Sequence, residues 1–277
     1  MIDFHLHIGN MFRPHYPRLQ PMSVHQLIDK MNREGIQMGV LLPLESPEGN
    51  WGYFLTEEAA AARDLYPERL IAFCCADPRY PEAAQLIDYA VTHLGCQGFG
   101  EHINGLAFDD PLNRVLYAKC DEHGLPLVLD MTVGLCWDTV GLPRLEACLK
   151  DYRNVTFVGH GPRFWAAISG DDTDDEGAPM YPKGPVTPGG AVDRLLSEYD
   201  NLWVDLSAGS GYNAMTRDPE FTPGFVQRHW RKLLFGTDYL GAGMGMPIIK
   251  WLREVEVEEE VREAIGAGNA RRLLGLP

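Results

Sequence analysis

Apolar and polar positions alternate from the start of the chain. Ile2, Phe4 and Leu6 fall on one side of an extended segment and Asp3, His5 and His7 on the other. That period predicts a strand, and short apolar runs followed by helix-period stretches then recur along the chain. Ser23 caps a predicted helix over 24–34 that Gly35 closes. Residues 38–42 read as a buried strand, followed by a loop with Pro43, Pro47, Gly49 and Gly52 and a helix near 56–66. A third strand covers 70–76 and a third helix 81–93, and a fourth strand at 96–102 carries Gly98 and Gly100, which permit a bulge. Asp110 or Pro111 opens a helix that runs to His123 and Gly124. Strands at 127–131, 155–160, 202–207 and 233–238 follow, separated by helical segments over 142–151, 190–198 and 220–231, and three short helical stretches finish the chain.

Eight strands alternating with helices predict an α/β fold, and no GxGxxG turn marks a dinucleotide crevice. The expected architecture is therefore a single (β/α)8 TIM barrel over residues 1–277, a length close to the roughly 250 residues such barrels use. Two connections are longer than the barrel needs. Residues 8–22 are rich in Pro and aromatic groups, and residues 161–190, with Trp165, Tyr181 and several prolines, have no helical or strand period and read as a lid after strand 6. The acidic run 171–176 within that connection reads as solvated.

Composition narrows the partners without naming a substrate. Against 39 Asp and Glu stand 24 Lys and Arg, a formal charge of −15, so nucleic acid and anionic membrane surfaces are repelled. The partner expected is a small-molecule substrate, and a homo-oligomer is left open. The six cysteines have no CxxC spacing and read as buried free thiols of a reducing compartment. With no signal segment and no apolar run of about 18 residues, the default location is cytoplasmic.

Candidate chemistry gathers at the C-terminal ends of the predicted strands, which form the active-site mouth of a barrel. His5 and His7 end strand one, Glu101 and His102 strand four, Asp130 strand five, His160 strand six, Ser207 strand seven and Asp238 strand eight. Closure sets strand one beside strand eight. Two neutral imidazoles and the Asp238 carboxylate then suit one divalent transition ion, with Zn the first choice and Mn or Fe the alternatives, and an open position lets bound water ionise near neutrality. Asp238 also reads as a proton acceptor, and His160 as a ligand or a catalytic acid/base. Arg163 is a candidate for an anionic substrate group, with pairing to nearby acids as its alternative. Alternation with Val128 points Asp130 inward, where a carboxylate needs a cation. One of Glu101 and His102 is expected to face the mouth.

These residues resemble the amidohydrolase superfamily, in its branch related to aminocarboxymuconate semialdehyde decarboxylase. The resemblance covers nearly the whole chain and rests on Asp3-Phe4-His5-Leu6-His7, Gly100-Glu101-His102-Ile103-Asn104-Gly105 with Asp109-Asp110-Pro111, His160-Gly161, Phe235-Gly236-Thr237-Asp238-Tyr239 and the ending Gly268-Asn269-Ala270-Arg271-Arg272-Leu273-Leu274-Gly275. It implies that His5, His7 and Asp238 hold a catalytic metal and that His160 acts on water or substrate. The family's strand-five histidine is replaced here by Asp130, and Glu101 stands where many relatives have Lys, Thr or another residue. Either carboxylate is a candidate replacement ligand, giving an oxygen-richer site that shifts preference towards Mn or Fe. The arginine that decarboxylases carry after strand two has no counterpart in 42–52.

The reading these features support is a metal-dependent hydrolase that attacks an amide, ester or lactone carbonyl with metal-activated water. The alternatives are a nonoxidative metal-dependent decarboxylase (a lyase) of a small unsaturated or aromatic acid, a metal-free lactonase, and a barrel retained only as a binding protein.

Overall fold

Eight short parallel strands organise the computed structural model, which describes residues 1–10, 20–48, 54–175 and 177–277. Most of the loop expected at 8–22, Gly49, Gly52 and Glu176 lie outside those residues. In chain order the elements are β1 (Ile2–Leu6), α1 (Val24–Glu34), β2 (Met38–Leu41), α2 (Thr56–Leu65), β3 (Leu70–Ala72), α3 (Ala83–Thr92), β4 (Phe99–His102), α4 (Pro111–His123), β5 (Pro126–Asp130), α5 (Pro143–Asp151) and β6 (Thr156–His160). They continue with α6 (Pro162–Ala166), α7 (Ala191–Glu198), β7 (Leu202–Asp205), α8 (Ala208–Thr216), α9 (Thr222–His229), β8 (Leu233–Leu234), α10 (Pro247–Glu254), α11 (Glu259–Glu263) and α12 (Asn269–Leu274). The caps behave as the sequence predicts. Ser23 and Gln26 form a reciprocal capping box on α1, which ends at Gly35 in the left-handed region (φ 71°), and Asp110 caps α4.

The strands form parallel ladders β1-β2-β3 and β4-β5-β6-β7-β8. Backbone hydrogen bonds join the two at both seams: Cys74 N to the Gly98 carbonyl (2.9 Å) and Gly100 N to the Cys74 carbonyl (2.8 Å) on one side, Phe4 N to the Phe235 carbonyl (2.9 Å) and Asp238 N to the His5 carbonyl (2.9 Å) on the other. The result is the expected TIM barrel. Its interior is plugged by Ile2, Phe4, Val40, Ile71, Phe73, Val128, Val158, Trp203 and Leu234. Alternate strand residues such as Leu41, Leu127, Phe157 and Val204 pack outward with the helices. All six cysteines are free and buried, as composition suggested. Among the described residues no helix is long and apolar enough to cross a membrane.

Several boundaries differ from expectation. The predicted strands at 70–76 and 96–102 shorten to Leu70–Ala72 and Phe99–His102, and β8 keeps only two residues of 233–238. Past β8 the pairing with β1 continues through Phe235, Asp238 and Tyr239 but turns irregular, because the Asp3 side chain takes Thr237 N and because Asp238 turns into the left-handed region (φ 57°). The connection after β6 opens with α6: Gly161 turns at φ 99°, Pro162 starts the helix, and Phe164 packs back on the strand. A Cβ on Gly159 would overlap the Phe164 ring, itself fully buried. Gly159→Ala is therefore expected to cost about 1–3 kcal/mol and lower Tm by roughly 3–10 °C. A melting curve matching wild type would show that the contact is not needed. The acidic run is not simply solvated either, since Asp172 pairs with Arg163 (3.1 Å).

Candidate metal centre

Three strands deliver polar side chains to the mouth by plain alternation. Val128, Val158 and Trp203 point into the barrel, so Asp130, His160 and Asp205, each two residues further on, do the same. Two strands do not alternate plainly. Between Asp3 and Leu6, β1 has one residue more than the β2 segment it pairs with, and β4 has one extra between Phe99 and His102. Each extra residue flips the phase. Ile2 and Phe4 plug the barrel, Leu6 packs outward beside Gly39 and Met31, and His5 and His7 are freed to face the mouth. In β4 the same device turns Glu101 to the mouth. His102 then faces the wall, where Tyr117 Oη lies 3.1 Å from its Nε2 and burial pushes its pKa down to about 3.

The expectation that Asp3 shares one polar face with His5 and His7 is thus corrected. Its buried carboxylate fills the irregularity in β1, accepting from His5 N (3.1 Å), Thr237 N (2.9 Å) and Thr237 Oγ1 (2.6 Å). Asp3→Ala would leave three donors without that acceptor, and is expected to cost about 3 kcal/mol or more in denaturant unfolding. A loss under about 1 kcal/mol, within the range of an ordinary surface substitution, would contradict this account.

At the mouth His5 Nε2 and His7 Nε2 lie 3.1 Å apart. Glu101 Oε2 is 3.6 and 3.5 Å from them and Asp238 Oδ1 is 3.8 and 3.3 Å from them. Donors tetrahedrally arranged about 2.1 Å from one ion stand about 3.4 Å apart, so His5, His7 and Asp238 fit a divalent cation, and Glu101 Oε2 stands at a similar distance from both imidazoles. The tautomers fit as well. His5 Nδ1 is committed to Asp205 Oδ2 (2.8 Å) and His7 Nδ1 to the Leu42 carbonyl (2.8 Å), which accepts only from N–H. With both rings neutral, as metal ligands are, the two Nε2 lone pairs converge on one point. Burial would lower the pKa of His5, but Asp205 and Glu101 outweigh it and raise it, so an ion binding there takes the place of a proton.

His160 approaches from the other side, its Nε2 3.8 Å from Glu101 Oε1 and its ring 4.4 Å from that of His5. His5, Glu101 and His160 make a second potential ligand set, sharing His5 with the set His5, His7 and Asp238. Behind both imidazoles sits Asp205, which strand reading passed over in favour of Ser207. It is fully buried and holds His160 Nδ1 at 2.9 Å as well as His5. Alternation with Trp203 carried the signal that would have found it. Burial alone would make His160 less basic, but the Asp205 carboxylate outweighs it and raises the pKa to about 9. Burial likewise opposes ionisation of Glu101, yet the surrounding imidazoles bring it down to about 2.

Asp130 and Arg163 stand apart from this cluster. Asp130 belongs to neither potential ligand set, its Oδ1 is buried without a hydrogen bond, and burial followed by the Glu101 charge raises its pKa to about 7. A Cβ on Gly161 would overlap that oxygen. Arg163 gives Nη2 to Asp172 and the Thr173 carbonyl and lines a cleft of about 290 Å³ beside Thr132 and Trp137. A cavity of about 700 Å³ lined by Met1, Glu34, Arg253 and Glu260 lies beside the start of β1, away from the cluster.

A family model described as amidohydrolase matches residues 2–276. Among solved structures, an uncharacterised TIM-barrel protein from Bordetella bronchiseptica shares 18% identity at a TM-score of 0.71, covering 99% of this chain and 98% of its own. The 2,6-dihydroxybenzoate decarboxylase from Rhizobium aligns at 16% identity and TM-score 0.63 (99% and 98%). A 5-carboxyvanillate decarboxylase from Novosphingobium aromaticivorans, complexed with manganese and 4-hydroxy-3-methoxy-5-nitrobenzoic acid, aligns at 13% and 0.67 (99% and 96%). No curated protein matches the chain.

Proposed function

Because the chain belongs to the amidohydrolase family of metal-dependent enzymes, we propose that it binds one divalent transition ion through His5, His7, Glu101 and Asp238 and hydrolyses an amide, ester or lactone carbonyl. The observation that carries this reading is the convergence of two imidazole lone pairs and two carboxylate oxygens, with both Nδ1 atoms committed elsewhere. Two nitrogens and two oxygens suit Zn, and also Mn or Fe. A divalent ion there supplies Lewis acidity and lowers the pKa of water.

The chain's own residues divide the remaining work. Asp238, its side chain 14% exposed, is the ligand nearest solvent and accepts a proton as water attacks. His160, held protonated by Asp205, donates to the carbonyl oxygen as charge develops there, or to the leaving group. Asp205 itself touches no substrate. It fixes which nitrogen of each imidazole faces the mouth. Arg163, already bound to Asp172, steadies the connection after β6, and meets a substrate anion only by giving up that partner.

Nonoxidative decarboxylation is the second reading, favoured by the two decarboxylases that share this fold over almost their whole length. Protein loaded separately with Zn and Mn distinguishes the two when offered a lactone, ester and amide panel and a set of hydroxybenzoates. Hydrolysis without CO2 is expected. Release of CO2 from the acids, with no hydrolysis, would replace the first reading by the second, and an intact fold that takes up no ion would remove both.

A further inference from the structure

The connection after β6 returns across the mouth of the barrel. Thr132, two residues beyond Asp130, donates its hydroxyl to Met180 Sδ (3.7 Å). The edge of the Tyr181 ring rests on Gly209, where a Cβ would stand 3.3 Å from it, and Asn213 Nδ2 donates to the Pro182 carbonyl (3.2 Å). Thr132 follows β5, whereas Gly209 and Asn213 belong to α8, which follows β7. Residues 180–182 therefore span from one neighbour of β6 to the other, over the strand end that carries His160. Building on the reading of that site as catalytic, we propose that Tyr181 is a substrate-contacting residue that closes the site from the solvent side and sets its preference for the part of the substrate remote from the carbonyl.

Two further features agree. The Tyr181 side chain is large and 46% exposed, and no hydrogen bond to another described residue holds its hydroxyl. Burial and then the charges of Asp130, which ends β5, and Asp238, four residues beyond β8, push the phenol up. Gly209 makes room for the ring, since any side chain there would displace its edge.

Calorimetric titration of the metal-loaded protein with two hydroxamate probes tests the contact. Acetohydroxamate ends at its methyl group, whereas benzohydroxamate extends a ring outward. Tyr181→Ala is expected to weaken benzohydroxamate about three- to tenfold, while acetohydroxamate changes by less than about twofold and Tyr181→Phe keeps most of the affinity. Equal loss of both probes, or of neither, overturns the contact. A second measurement does not need the ion. In metal-free protein at about pH 8, part of a His160 titrating at about 9 is neutral and reactive. Its carbethoxylation by diethyl pyrocarbonate, followed on its peptide by mass spectrometry, is expected to run severalfold faster in Tyr181→Ala and at the wild-type rate in Tyr181→Phe. An unchanged rate in Tyr181→Ala overturns the closure. Faster modification in a protein that takes up no ion would overturn the metal reading and leave Tyr181 in its role.

Discussion

Replacing Asp205 with Asn is expected to lower metal affinity and turnover by about 10- to 100-fold, with the fold retained. The side chain is isosteric, so the barrel keeps its packing, and what changes is the hydrogen-bond inventory. Asp205 accepts from His5 Nδ1 through one oxygen (2.8 Å) and from His160 Nδ1 through the other (2.9 Å). An amide has one acceptor oxygen and one NH2 group. Whichever imidazole faces the NH2 must turn a bare Nδ1 towards it and place its proton on Nε2, the atom that points into the mouth. If His5 is the one affected, a ligand is lost, and if His160, the ring gives up its Nδ1 proton and with it the positive charge that makes it an acid. Ser207→Ala is the control. It removes a hydroxyl that donates to Asp205 Oδ1 (2.5 Å) and lies 3.0 Å from His160 Nδ1, without altering either tautomer. Its effect is expected to stay at about fivefold or below, since it removes one hydrogen bond worth about 1 kcal/mol. Metal dissociation constants, alongside circular dichroism, separate the two variants. Wild-type affinity and turnover in the Asp205→Asn variant would remove Asp205 from the account.

How much of this was legible in the sequence depends on phase. Wherever alternation continues to the strand end, the site residue can be found by counting: Asp130 from Val128, His160 from Val158, and Asp205 from Trp203 had the seventh strand been ended two residues earlier. Wherever one residue is inserted, counting fails. Strict alternation sends Phe4 and His5 to opposite faces, yet both end up inside, one in the plug and one at the mouth. The glycines around Phe99 allow β4 to bulge but do not set by how many residues, so only the register with β5 decides between Glu101 and His102. Helix α8 was missed for a different reason. Its sequence, AGSGYNAMT, has poor intrinsic helix propensity, and the helix is specified by packing, with Gly211 so close to Leu206 that a Cβ would lie 2.5 Å from its backbone. The short β8 follows from a contact 234 residues away, Asp3 with Thr237, which no local pattern contains.

Glu101→Gln and Asp130→Asn are expected to separate completely, although both replace a carboxyl group by an amide at the same mouth. Glu101 Oε2 lies 3.5–3.6 Å from both imidazole nitrogens, as a shared ligand does, and the imidazoles hold it ionised. Replacing that oxygen by a neutral amide is expected to weaken metal binding by about 100-fold or more, because a charged donor is lost where two lone pairs already face each other. Asp130 makes no approach of that kind. Its Oδ1 is buried without a hydrogen bond and its pKa is raised to about 7 by burial and the neighbouring Glu101, so near neutrality much of it is already uncharged. Asp130→Asn therefore removes little charge, and should leave metal content near one ion per chain while turnover falls through the altered polarity of the mouth. Elemental analysis of the two variants, purified identically, decides the matter. If Asp130→Asn loses the ion and Glu101→Gln retains it, then Asp130 is the fourth ligand, and the carboxylate that stands where the family's strand-five histidine would be has taken over its role directly.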